Sequence, residues 1–71
     1  MMMVEVKKEF IKEYMKKNNL TKTQFCKFVH TSHKMFNKIM NGEKVGLFVA
    51  LRYASSMQVE DEKVFDWNFT F

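Results

Sequence analysis

Cys26, His30 and His33 come nearest in type and spacing to a metal-holding or reactive group. A thiolate and two imidazoles this close in sequence could occupy three corners of a tetrahedral zinc site. No fourth ligand is nearby, however, and Cys26 falls on the apolar side of a helical pattern. A buried, inert thiol is the expectation. Other chemistry is no better supported. Only Gly42 and Gly46 are present, too few for a glycine-rich loop that cradles phosphate. The carboxylates Glu60, Asp61 and Glu62 cluster where a helix would begin, and there they need only offset the positive end of its dipole. Neither an enzyme nor a metal or other cofactor is expected.

The polar residues that remain are concentrated in SHKMFNKIMNG, residues 32–42. Phe36, Ile39 and Met40 recur at i, i+3 and i+4, with His33, Lys34, Asn37, Lys38 and Asn41 around the rest of the turn, which is the pattern of an amphipathic helix. Its surroundings are basic. Five lysines against Glu43 alone give residues 20–44 a net charge of +4, whereas residues 45–71 carry −2. A basic block beside an acidic end suits a surface that meets nucleic acid. Of the twelve basic residues only Arg52 is arginine; lysine grips phosphate but lacks the planar fork that reads guanine bidentately.

At 71 residues the chain is expected to be one domain with one small core, with no room for a second, ligand-sensing domain and no evident small-molecule effector site. A lone cysteine points to a reducing compartment. No apolar run approaches the length of a membrane span, and MMMVEVKKEF mixes charges too early for a secretory signal. A cytoplasmic protein is the expectation.

The elements that would position the polar stretch are all helical. A first helix is expected over residues 4–18, with Phe10, Ile11, Tyr14 and Met15 as its apolar stripe. The second has a sharply marked start: Thr21 as cap, Gln24 closing a capping box, and Leu20 stapling to Phe25. It should bury Phe25, Cys26 and Val29. Ser32 caps the third helix, which Asn41-Gly42 ends. A fourth runs from Val45 or Gly46 to Met57 with Leu47, Phe48, Leu51, Tyr53, Ala54 and Met57 inward or nearly so, and a fifth begins near Glu60. The helical core thus spans 4–65. Over the last seven residues, which take in the aromatic tail, 66–71, the period changes to two: Phe65, Trp67, Phe69 and Phe71 alternate with polar residues, and a short C-terminal strand fits that pattern.

Two short helices joined by about three residues, the second with a polar outward face, make a helix-turn-helix. LTKTQFCKFVHTSHKMFNKIMNG resembles that of the lambda repressor and Cro-like family, whose usual run is Leu-Thr-Gln-x-x-Leu-Ala-x-x-x-Gly-Val-Ser followed by a helix ending in Glu-Asn-Gly. Leu20-Thr21 opens it, Phe25 takes the Leu, Cys26 the Ala, His30 the turn Gly, Ser32 the Ser, and Asn41-Gly42 the close. ALRYASSMQVEDEKVF resembles the family's fourth helix and the start of its fifth, so the likeness covers about residues 10–65. Lys22 stands in place of the usual Gln, and Gln58 in place of a glycine after the fourth helix. Many members bury an Arg of the first helix against the Glu before Asn-Gly. Met15 and Met40 occupy those two positions, an exchange of both charges for apolar side chains that can be neutral where losing only one would cost about 3–5 kcal/mol.

The resemblance implies an all-α, five-helix DNA-binding domain with a central helix-turn-helix. It further implies a transcriptional regulator, a repressor of phage or mobile-element type, acting on double-stranded DNA as a homodimer. It nominates His33, Lys34, Asn37 and Lys38 for base contacts, Asn37 being suited to adenine, and Lys22, Thr23, Gln24, Ser32, Asn41 and Lys44 for the DNA backbone. Phe65, Trp67, Phe69 and Phe71 are candidates for dimerisation through the tail; packing of the tail over the first and fifth helices is the equal alternative. A protein-interaction module, such as an antitoxin or adaptor using the tail or the helix-turn-helix surface, is the competing function.

Overall fold

The computed structural model describes residues 2–66. Five helices carry most of them: α1 (Lys8–Lys17), α2 (Lys22–Phe28), α3 (His33–Met40), α4 (Leu47–Met57) and α5 (Asp61–Val64). Two short strands, β1 (Met3–Val4) and β2 (Val45–Gly46), form an antiparallel ribbon in which Met3 faces Gly46 and Val4 faces Val45.

That ribbon corrects two helix boundaries. Residues 4–7 do not join α1, and residues 45–46 do not join α4. Val4 and Val6 are 1% and 2% exposed with Glu5 outside between them, so this segment obeys the two-residue period of a strand. β-branched valines fit that geometry better than a helix start. The N-terminal segment then works as a strap. Leu47 N donates to Met2 O at 3.0 Å, Lys7 N donates to Val64 O, and Val6 bridges Phe65. It thereby holds the entry of α4 and the exit of α5 together.

The helix-turn-helix segment follows its local signals. Thr21 N donates to Gln24 Oε1 at 2.9 Å while Gln24 N donates to Thr21 Oγ1 at 3.2 Å, a complete capping box. Ser32 Oγ accepts from Met35 N at 3.1 Å and caps α3. Helices α1 to α4 end alike. In α2, Thr31 N donates to Cys26 O at 2.9 Å and His30 N to Lys27 O at 3.3 Å, and the residue between must be left-handed. Gly42 suits that role at φ +81°, but Asn19, His30 and Gln58 also adopt it at +53°, +56° and +57°. His30 in the turn is therefore left-handed, with strain of about 1 kcal/mol at each such non-glycine residue.

Phe25, Ile11, Ile39, Val29, Tyr53 and Phe65 centre the core, all within 1% of full burial. Phe25 lies edge-on to Tyr14, Phe36 and Tyr53, with ring centroids 6.3, 5.9 and 5.6 Å away. Such pairs add about 0.5–1.5 kcal/mol each beyond area burial. Met15 and Met40 are both partly buried against this core. One expected inward residue is not: Phe48 is 83% exposed. The buried stripe of α4 is Ala50, Tyr53, Ala54 and Met57, at i, i+3, i+4 and i+7, and a residue two places from Ala50 points about 200° away.

Tyr53 carries the one buried side-chain polar atom without a hydrogen-bond partner among the described residues. Burial pushes its pKa up to about 12. The Thr31 side chain tempers that rise without meeting the geometry of a full hydrogen bond.

Phe65, a candidate for dimerisation, packs inward in this chain. Its side chain is fully buried in the core of its own chain, and its backbone bridges Val6. Trp67, Phe69 and Phe71, and with them the expected terminal strand, lie outside the described residues.

Candidate nucleic-acid interface

Helix α3 is held by its apolar half. Phe36 and Ile39 are buried and Met35 and Met40 partly so, leaving His33, Lys34, Asn37, Lys38 and Asn41 within about 140° of arc at 100° per residue. His33, Lys34, Asn37 and Asn41 are exposed; Lys38 is half-buried. All four residues nominated for base contact are thus brought to one helical face.

No carboxylate lies anywhere in residues 20–42. His33 and Lys34 occupy the first turn of α3, which holds no acidic residue. Positive charge at a helix N-terminus is unfavourable by a few tenths of a kcal/mol, and a nearby anion would reverse the sign.

Among the backbone nominees, Thr23 and Lys44 are exposed. Ser32 and Gln24 have structural roles: Ser32 Oγ holds α3, and Gln24 Oε1 holds the start of α2, so Gln24 retains its Nε2 protons as donors. Asn41 is the C-cap of α3.

Lys22 links the two helices. Its ammonium donates to Asn37 Oδ1 at 2.7 Å and lies 5.8 Å from the centroid of the Phe36 ring. This lysine thus bridges the start of α2 and the middle of α3. Below it, Cys26 is 3% exposed; burial raises its thiol pKa, with the positive charge of Lys22 acting the other way. A thiol so placed is a small apolar core group. Among the described residues no three His, Cys, Asp or Glu side chains gather as a metal-holding group.

Two further residues position the unit without a local sequence signal. Arg52 of α4 donates to His30 O at 3.2 Å, pinning the turn between α2 and α3. Lys8 of α1 reaches Met40 O at 3.4 Å, placing a cation at the negative end of α3. The only hint of either was that Arg52 is the single arginine.

An open concavity of about 760 Å³, lined by Val6, Phe10, Lys7, Glu60 and Lys63 among others, includes no residue of α2 or α3. No helix of the described residues is long and apolar enough to cross a membrane. No family model, curated protein or solved structure matches this chain.

Proposed function

We propose that this chain is a sequence-specific regulator that binds double-stranded DNA, a repressor of the lambda repressor and Cro-like type, inserting α3 into the major groove as a homodimer. One observation carries the reading. A capped α3, anchored by Phe36 and Ile39, presents His33, Lys34, Asn37 and Lys38 on one face of a carboxylate-free helix pair. A helix is the element that fits the roughly 12 Å wide major groove, and its N-terminal residues are those that reach base edges. Lys22, Lys34, Lys38 and Lys44 supply positive charge around that face. The function is one of binding rather than catalysis.

The test is equilibrium binding to duplex DNA across a salt series. If these four lysines neutralise phosphate, log K should fall with log salt at a slope of about −3 to −4 per subunit. No binding at low salt, or binding indifferent to salt, would sink the proposal. The dimer is tested separately by solution mass with and without duplex.

A protein-interaction module has in its favour the exposure of two aromatics, Phe48 on α4 at 83% and Phe28 on α2 at 42%. Exposed aromatics are compatible with a protein contact made by a DNA-bound regulator as well. Duplex binding therefore decides between the two.

A further inference from the structure

We propose that Lys22 and Asn37 form a single reading unit that selects guanine over adenine, Lys22 both setting the Asn37 amide and offering donors of its own. This rests on the DNA-binding reading above and concerns the chemistry of one contact within it.

An asparagine side chain reads adenine with both ends of its amide. The oxygen accepts from N6–H and the nitrogen donates to N7. Asn37 by itself would thus favour adenine. In the folded chain, however, its Oδ1 accepts from Lys22 Nζ at 2.7 Å, the length of a charge-assisted bond. An ammonium has three donors and no acceptor, so the amide atom it faces must be the oxygen. The orientation of the Asn37 amide is set by that rule.

Lys22 is itself restrained. It is half-buried, its stem rises from the first position of α2, and its charge lies by the face of Phe36, a core residue only 7% exposed. A cation placed over a ring face is attracted by its negative quadrupole. The unit therefore presents the Nδ2 protons of Asn37 and the remaining Nζ protons of Lys22, all of them donors. Oδ1 keeps a second lone pair, but an adenine N6–H brought to it would stand beside an ammonium, positive against positive. Guanine meets the unit with N7 and O6, two acceptors and no donor in the major groove. An adenine reader and a phosphate cation, when bonded to each other, become a donor-only pair.

The experiment is selection of bound sites from a random duplex pool by the full chain and by Lys22→Met, Lys22→Arg and Asn37→Ala. Lys22→Met keeps a stem over Phe36 and releases Oδ1; Lys22→Arg keeps the donors. The natural chain should enrich guanine at one position of each half-site. Lys22→Met should move that position toward adenine by about tenfold or more, Lys22→Arg should keep guanine, and Asn37→Ala should lose the preference. Adenine selected by the natural chain, or a preference unchanged by Lys22→Met, overturns the unit while leaving DNA binding intact. Failure of the natural chain to enrich any duplex, with its folded state verified by circular dichroism, removes the DNA-binding reading and the unit with it. Denaturant midpoints for each variant separate a loss of preference from a loss of fold.

Discussion

Tyr53 offers the sharpest quantitative test of the fold. Its side chain is fully buried, its hydroxyl lacks a hydrogen-bond partner among the described residues, and burial lifts its pKa from 10.0 to about 12. The folded state therefore favours the neutral phenol. Stability from this preference is fully present below pH 10 and is lost as pH rises toward 12, because the unfolded chain gives up its proton first. A rise of that size corresponds to about 3 kcal/mol. That is a large share of what a small domain has. Tyr53→Phe removes the titrating group while keeping the ring against Phe25. At pH 7 the variant should be as stable as the natural chain, or more so by about 1 kcal/mol, since an unpaired buried hydroxyl is a cost rather than a support. Urea unfolding from pH 8 to pH 12, followed by far-ultraviolet circular dichroism, compares the two. The difference between the curves isolates Tyr53 from the lysines that titrate in the same range. A variant more than 1 kcal/mol weaker at pH 7 would mean that the hydroxyl is well bonded, to Thr31 above all. Equal alkaline losses in the two proteins would refute the burial argument.

Three further outcomes are expected. Gln58→Gly, at φ +57°, should raise stability by about 1 kcal/mol by relieving left-handed strain, a rise of about 4–8 °C in Tm by scanning calorimetry; an unchanged or lower Tm would contradict it. Thr21→Ala removes one arm of the capping box and should cost about 1 kcal/mol in urea titration. Met15→Arg and Met40→Glu should each destabilise, and the double variant should be milder than the sum by at least about 0.5 kcal/mol in a double-mutant cycle. Strict additivity would show that the two positions are not in contact.

What could be read without the structure was local. Thr21 with Gln24, Ser32, and Asn41-Gly42 set the ends of the helix-turn-helix because a cap involves atoms only a few residues apart. The apolar spacing of Phe36, Ile39 and Met40 likewise determined which face of α3 is polar, since helical geometry alone assigns it. The β1–β2 ribbon was harder to see. Val4-Glu5-Val6 alternates correctly, but so short a run is ambiguous until its partner at Val45 is found 41 residues away, and a strand is stabilised only by that partner. Phe48 was misplaced for a related reason. An almost wholly apolar start to α4 hides its inward direction, and burial of Ala50, Tyr53 and Met57 decides it.

The candidate interface divides in the same way. The sequence by itself determined the inventory: a basic, carboxylate-free segment with Asn37 and Lys38 on the outer face of a capped helix. Only the tertiary structure joined Lys22 to Asn37 across 15 residues, set Arg52 against the His30 carbonyl and drew Phe65 into the core. Hydrogen bonds between separate helices depend on how those helices pack, and packing is a property of the whole core rather than of any one segment.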